Sequence, residues 1–275
     1  MDVVIIGGGP AGLQAALTLG RMHRDALLLD SGSYRNAAAG HMHNFVTHDG
    51  RRPEEFREMA RADLASYDTV EVRDCAALEV RRRSGGGFET VLADGSVVGS
   101  DAVLLATGVR DVLPDVPGMA EAFGTHVHHC PFCHGHELAG RTVAIQEARA
   151  DHLVPMLSRI AEDVRVVSGL EKVVIDGDEV LLTTADGEVR AGGLFAATEF
   201  EQAAPFAEQL GLDVLESGCV EVDAMGRTSV QGVYAAGDMA HTKALAMPMA
   251  SVLTAAATGL VAAAASVGDS LTHSS

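Results

Sequence analysis

The stretch VVIIGGGPAG, residues 3 to 12, constrains the fold of this chain more than any other segment. Four apolar residues running into glycine read as a short buried strand. Gly7, Gly9 and Gly12 form G-x-G-x-x-G, and LQAALTLGRM behind them reads as a helix. ALLLD then reads as a second strand closing on Asp30, 18 residues after Gly12. This is the opening of a βαβ unit. In such a turn the first glycine permits the sharp bend. The second lets the backbone approach a pyrophosphate, and the third allows close helix–strand packing. The helix N-terminus favours the phosphate charge, and an acid at the end of the second strand accepts hydrogen bonds from a ribose. Gly7, Gly9, Pro10, Ala11, Gly12, Asp30 and Ser31 are therefore the candidate contacts to an adenine dinucleotide. The competing reading is a glycine-rich turn that holds no ligand.

The 275 residues suffice for one large domain or two modest ones, and 47% hydrophobic residues allow a sizeable core. The net charge of −18 argues against nucleic acid and anionic membrane as partners. Four cysteines, Cys75, Cys130, Cys133 and Cys219, are too few for a disulfide scaffold. One close pair and two singles point to an intracellular protein with one special site, with Cys75 and Cys219 as ordinary small residues. No basic n-region precedes VVII, so a cytoplasmic location is expected. Ala244 to Gly268 runs 25 residues without a charge. That length could span a membrane, but its Ala, Gly, Ser and Thr content and Pro248 favour a buried helix at a ligand site.

Further along, residues 31 to 53 read as irregular and 53 to 67 as a helix. Strands at 69 to 73, 77 to 82 and 88 to 92 suggest a β-meander, and DAVLLATG (101 to 108) a buried strand. Two prolines in DVLPDVPG (111 to 118) mark a boundary. Beyond it come the strand RTVAIQ (141 to 146), a helix at 151 to 162 and the strands DVRVV, EKVVI, EVLLTT and EVRAGGLFA. The tail GDSLTHSS is expected to fray. The expected division is a discontinuous domain of residues 1–114 and 196–275, with a smaller one at 115–195.

Two further motifs bear on which dinucleotide binds. LLATG (104 to 108) is a strand entering a glycine turn, and GVYAAGD (232 to 238) ends in an acid before a helix. With the first motif they resemble the two-dinucleotide-binding-domain flavoproteins. The resemblance implies an α/β fold: a Rossmann-like FAD domain with a β-meander, and a smaller NADPH-type domain. It implies FAD as cofactor, with Asp238 at its ribityl and pyrophosphate region. Gly108 and Gly237 would also contact the cofactor, and Ser251 and Val252 would direct N–H groups at the flavin ring.

HVHHCPFCHGHE, residues 126 to 137, offers either a metal clamp or a redox dithiol. Structural zinc usually takes two separated ligand pairs, and only one C-x-x-C is present. His126, His128, His129, His134 and His136 could complete a site, though eleven residues is a tight span for a tetrahedron. A dithiol asks for less. Pro131 suits the first turn of a helix with Cys130 at its cap, where a thiolate is stabilised. Imidazoles nearby can move protons at neutral pH.

GGGPAG, a central C-x-x-C and GVYAAGD together resemble the low-molecular-weight thioredoxin reductases over nearly the whole chain. CPFCHG and RNAAAGHMHNFVTHDG (35 to 50) look closer to the dithiol oxidases that close disulfides in gliotoxin, holomycin and related natural products. The resemblance implies that Cys133 lies against the flavin and forms an adduct with it, while Cys130 exchanges with substrate. His134 stands where the reductases carry an acid, which implies proton transfer; the alternative is that it orients a loop. His126, His128, His129 and His136 are further candidates for that role.

The reductases carry a second Rossmann glycine motif for NADPH. After RTVAIQ this chain has QEARAD (146 to 151), without glycine and with the acid Glu147, and DVRVVSG lacks an arginine pair for a 2′-phosphate. The NADPH site is expected to be lost. The expected activity is an FAD-dependent dithiol oxidase that uses Cys130 and Cys133 on a small-molecule dithiol, with O2 as acceptor and H2O2 as product. As in the family, a homodimer is expected. The alternatives are a disulfide reductase fed by a donor other than NADPH, and a non-catalytic redox sensor.

Overall fold

The computed structural model describes residues 1–272. They divide into two compact units. The first comprises Met1–Arg35, Glu54–Arg110 and Glu201–Ser275, and the second Asn36–Pro53 and Asp111–Phe200. The sequence-based division differs in three segments. Residues 36–53, expected in the FAD domain, belong to the second unit, and residues 111–114 and 196–200, at the edges of the expected smaller domain, also join it. In that unit Gly124 packs so closely on Ala38 that a Cβ would collide with it, and His43 lies 3.5 Å from Glu137.

The first unit is built on a five-stranded parallel sheet. Its order is Val233–Ala235, Ala102–Leu105, Val3–Ile6, Ala26–Leu29, Val70–Arg73. The two innermost pairings are in register, Val3 with Ala26 and with Ala102. VVII and ALLL are buried at every position, as expected of parallel strands covered on both faces. A three-stranded antiparallel meander, Ala77–Arg82, Phe88–Leu92 and Val97–Ser100, forms a separate sheet.

The helix Pro10–Arg21 starts at the glycine turn, with Pro10 at its first position. Against it packs the C-terminal helix Val252–Thr272. By length and composition alone that helix could cross a membrane. Within the unit it buries a face of small residues, Ala255, Gly259, Ala262, Ala263, Ala265 and Ser266. A Cβ on Gly259 would collide with the Ala11 carbonyl. Such close contact requires small side chains, which accounts for the alanines. The helix starts eight residues later than Ala244, because Pro248 disfavours helix for the residue before it and Ser251 supplies the cap. The Ser251 hydroxyl accepts the Thr254 N–H at 3.0 Å. Residues 268–272 of the expected frayed tail are helical, and the remaining 273–275 lie outside the described residues.

The second unit holds a four-stranded parallel sheet, ordered Asp163–Val167, Thr142–Gln146, Gly193–Phe195, Val127–His128. A three-stranded antiparallel sheet, Leu170–Asp176, Glu179–Thr184 and Gly187–Ala191, accompanies it. EVRAGGLFA, expected as one strand, is two, Gly187–Ala191 and Gly193–Phe195, one in each sheet. Gly192 sits at the break, where a side chain would collide with Arg141.

Candidate active site

In the first unit the glycines of GGGPAG are set by what surrounds them. A Cβ on Gly7 would meet the Ala106 carbonyl, and one on Gly12 the Gly7 carbonyl. Gly8, absent from the sequence-based candidates, is as constrained, since its Cβ would meet the Asp30 carboxylate. Gly9 faces open space, with nothing within 4 Å of a Cβ there. The turn is thus closed on three sides and open at its second motif glycine, at the N-terminus of Pro10–Arg21. A pyrophosphate placed there would meet backbone N–H groups and the positive end of the helix.

Asp30 is 2% exposed and strongly engaged. Its Oδ1 accepts the Gly32 N–H at 2.9 Å, and its Oδ2 accepts the Tyr34 hydroxyl at 2.6 Å and Arg61 at 2.5 Å. Arg57 stacks 3.8 Å over the Tyr34 ring. Burial, and then the bond to Asp30, push the Tyr34 hydroxyl above its ordinary pKa, so it stays a donor. Ser31 is exposed beside this group. None of Tyr34, Arg57 or Arg61 was legible in the sequence.

Asp238 lies in the single turn Gly237–Met239 that follows Val233–Ala235. Gly237 has φ +78° and donates its N–H to Thr258 of the C-terminal helix at 2.9 Å. That bond ties the aspartate turn to the helix that starts at Val252, and Ser251 and Val252 form its N-terminus. Gly108, φ +69°, ends the Ala102–Leu105 motif with open space where a side chain would be. Arg35, another residue the sequence did not reveal, donates to Asp238 at 2.8 Å. Cys219 is buried with its thiol 3.5 Å from the Asp238 carbonyl, and burial raises its pKa. Asp30, Asp238, the glycine turn and the Val252 helix start all belong to the first unit. They supply acceptors, donors and an open cradle suited to a dinucleotide with a flavin.

In the second unit Cys130 and Cys133 are joined as a disulfide, with Cα atoms 5.3 Å apart. Cys130 is the extended N-cap residue, and Pro131–His134 is a single helical turn. The sulfurs are bonded to each other. Among the described residues no three His, Cys, Asp or Glu side chains converge as metal ligands. Phe132, between the cysteines, is 67% exposed, an apolar surface beside the disulfide.

The five histidines take different places. His128 is buried on the strand Val127–His128, and its ring stacks on His134 with centroids 4.1 Å apart. Its Nδ1 has no hydrogen-bond partner among the described residues. Burial above all, then His134, His126 and His129, push the His128 pKa down to about 3. Burial also lowers His134, partly opposed by Glu137. Both rings are therefore disposed to be neutral at pH 7, and a neutral imidazole can accept a proton from a thiol. His129 stacks on Phe123, centroids 6.2 Å apart. His126 lies 3.2 Å from the Thr125 hydroxyl and is half-buried, whereas His136 is exposed. The 36–53 segment adds His43, 3.5 Å from Glu137 and 3.6 Å from Asp49. Glu137 raises the His134 pKa and His43 lowers it.

The turn QEARAD forms a short 3-10 segment, Glu147–Arg149, ahead of the helix Ala150–Leu157. Its side chains bond to the ends of neighbouring strands. Gln146 Oε1 accepts the Ala197 N–H at 2.8 Å, and Arg149 donates to the Ala196 carbonyl at 3.0 Å and to that of His129.

Comparison with known proteins matches this geometry. The pyridine nucleotide-disulphide oxidoreductase family matches residues 1–154 and 155–259. The chain is 32% identical to the thioredoxin reductase sirT of Leptosphaeria maculans, over 95% of this chain and 91% of that one. It is 33% identical to the thioredoxin reductase aclD of Aspergillus oryzae, over 91% and 92%. The crystal structure of a thioredoxin reductase TrxB from Bacillus anthracis superposes with a TM-score of 0.90 at 28% identity, covering 99% of both chains. Such relatives imply a bound flavin. The chain belongs to the pyridine nucleotide-disulphide oxidoreductase family and is a thioredoxin reductase-like thiol/disulfide oxidoreductase.

Proposed function

We propose that this chain is an FAD-dependent dithiol oxidase that closes a disulfide in a small-molecule dithiol. The observation that carries this reading is the pairing of a Cys130–Cys133 disulfide with a nucleotide turn whose own side chains fill it. Electrons then have one way in, through the cysteines. Gly7, Gly9, Pro10, Ala11, Gly12, Asp30 and Ser31 would hold the adenosine and pyrophosphate end of FAD. Gly108, Gly237, Asp238, Ser251 and Val252 would hold its flavin end. Bound FAD supplies a two-electron acceptor that O2 reoxidises to give H2O2.

One substrate thiolate attacks Cys130 Sγ, breaking the Cys130–Cys133 bond and releasing Cys133 as thiolate. The second substrate thiol, deprotonated, attacks the substrate sulfur of this mixed disulfide. The substrate leaves as a disulfide, Cys130 leaves as thiolate, and two electrons remain on the cysteine pair for transfer through Cys133. His134, lowered by burial and stacked on His128, accepts the thiol proton. The exposed Phe132 offers an apolar contact to the substrate. A homodimer in the cytoplasm is part of this reading.

A disulfide reductase fed by another donor is the second reading, favoured by the likeness to sirT and aclD, both named thioredoxin reductases. A third is a sensor whose disulfide state changes partner binding. The test is a dithiol screen under anaerobic conditions followed by air. An oxidase bleaches with dithiol and then forms H2O2 through many turnovers. A reductase shows no sustained peroxide, and a sensor stops after one equivalent.

A further inference from the structure

The chain leaves the strand Thr142–Gln146 for Asp163–Val167 on one side and returns at Gly193–Phe195 on the other. The C-terminal ends of Thr142–Gln146 and Gly193–Phe195 are therefore a topological switch point, where open α/β sheets hold their ligands. In this chain the switch point is occupied by the protein. Gln146 Oε1 accepts the Ala197 N–H, and Arg149 donates to the Ala196 carbonyl. The same Arg149 nitrogen also donates to the carbonyl of His129. That carbonyl belongs to the peptide group whose nitrogen is that of Cys130. One guanidinium thus joins the filled crevice to the start of the dithiol.

Arg149 is partly buried, and no carboxylate pairs with it among the described residues. A guanidinium bonded to neutral carbonyls keeps its full positive charge. Cys130, one peptide group away, becomes an anion when the mixed disulfide resolves and the substrate leaves. A cation beside a thiolate lowers the thiol pKa. We propose that Arg149 is a positioning residue for the dithiol, fixing the peptide group ahead of Cys130 and favouring Cys130 as thiolate. This rests on reading Cys130–Cys133 as the redox pair.

The other charged or titratable groups around the dithiol are His128 and His129 before it and His134, His136 and Glu137 after it. The 36–53 segment adds His43 and Asp49, and Glu147 and Asp151 flank Arg149 in sequence. All of these are unchanged in a comparison of Arg149 variants, so the contrast isolates one charge.

The experiment uses the FAD-loaded Cys133→Ser protein, in which Cys130 is a free thiol. Its alkylation by iodoacetamide is followed across pH by peptide mass spectrometry, anaerobically and without substrate. Arg149→Met should move the Cys130 profile up by about one pH unit, a roughly tenfold slower reaction below the midpoint. Arg149→Lys keeps the charge and should restore more than half of that shift. FAD content and far-UV circular dichroism report that each variant is folded. An unchanged profile in Arg149→Met overturns the proposal, and so does an equal shift in Arg149→Lys, which would make the effect one of packing. No turnover is read, so a protein that forms no H2O2 would sink the oxidase reading and leave this result standing.

Discussion

Arg35 donates to the Asp238 carboxylate at 2.8 Å, with each side chain about one-fifth exposed (19% and 21%). The acid that ends GVYAAGD thus lies against a cation from the far end of the first unit's opening segment. An anionic pyrophosphate approaching an unpaired Asp238 would be repelled, and Arg35 neutralises that charge. Arg35→Met should weaken FAD binding about tenfold, or about 1.4 kcal/mol, measured by quenching of FAD fluorescence on titration with apoprotein. Adding Asp238→Asn to Arg35→Met should cost less than Asp238→Asn costs alone. Additive losses would mean that the pair does not act as a unit.

A second prediction follows from His128, whose pKa is pushed from 6.5 to about 3 by burial first. In the unfolded chain the imidazole protonates near 6.5, so between pH 6.5 and about 3 the unfolded state binds more protons. The stability associated with the neutral ring is complete above pH 6.5 and is lost as pH falls through that window. From pH 7 to pH 5 the loss is about 2 kcal/mol for this group. Urea unfolding at the two pH values should show a smaller difference in His128→Leu than in the wild type. An equal difference would assign the acid sensitivity to other groups.

Much of the fold was legible because periodicity and breakers are local signals. VVII and ALLL run as continuous apolar stretches, and FETVL alternates between two glycine-containing turns. The C-x-x-C and the glycine turn were legible for the same reason, since their chemistry is written in short spacings. What escaped were side chains whose partners lie far along the chain. Arg35 meets Asp238 across 203 positions, and Arg149 reaches Ala196 across 47. Nothing near either arginine distinguishes it from a solvated one. Gly8 escaped for another reason. The motif gives it no role, and only the approach of Asp30 reveals why a side chain is excluded. QEARAD was legible as a turn without the motif glycines, but the hydrogen bonds its Gln146 and Arg149 side chains make to Ala197 and Ala196 were not.

The cysteine roles predict unequal variants. With the proposed roles, in which Cys133 is the sulfur that passes electrons to the flavin, Cys130→Ser should show a long-wavelength absorbance band. Cys133→Ser should lack the band and accumulate a mixed disulfide between Cys130 and a thiol substrate. Both should lose turnover, by at least a factor of about a thousand, because exchange needs both sulfurs. The reverse spectra would exchange the two roles, and near-wild-type rates in either variant would remove the dithiol mechanism.

Two glycines of the C-terminal helix should respond oppositely to alanine. At Gly259 the added methyl meets the Ala11 carbonyl backbone, which cannot rotate away. Gly259→Ala should destabilise by about 1–3 kcal/mol and reduce retained FAD, because Ala11 lies in the glycine-turn cradle. At Gly268 there is open space, and replacing helical glycine by alanine should be neutral or stabilising by up to about 1 kcal/mol. Thermal midpoints and the flavin-to-protein absorbance ratio measure both. A Gly259→Ala protein with normal melting and full flavin would show that the two helices can separate at no cost.

The sharpest prediction is that NADPH and NADH do not reduce this protein's flavin. A dinucleotide at the second unit's switch point would have to take the place of the Gln146–Ala197 and Arg149–Ala196 bonds. It would also have to approach a turn that carries Glu147 and no glycine. Leaving two such groups unmatched costs roughly 1–3 kcal/mol each, at least about thirtyfold in affinity together. The pyrophosphate charge then meets Glu147 without the glycine backbone that normally cradles it. With excess NADPH under anaerobic conditions the flavin absorbance should stay constant over a period in which a small dithiol bleaches it fully. Calorimetric titration should find no saturable NADPH binding below millimolar concentration. Rapid bleaching by NADPH would mean that Gln146 and Arg149 swing aside in solution, and the chain would then work in the reductase direction.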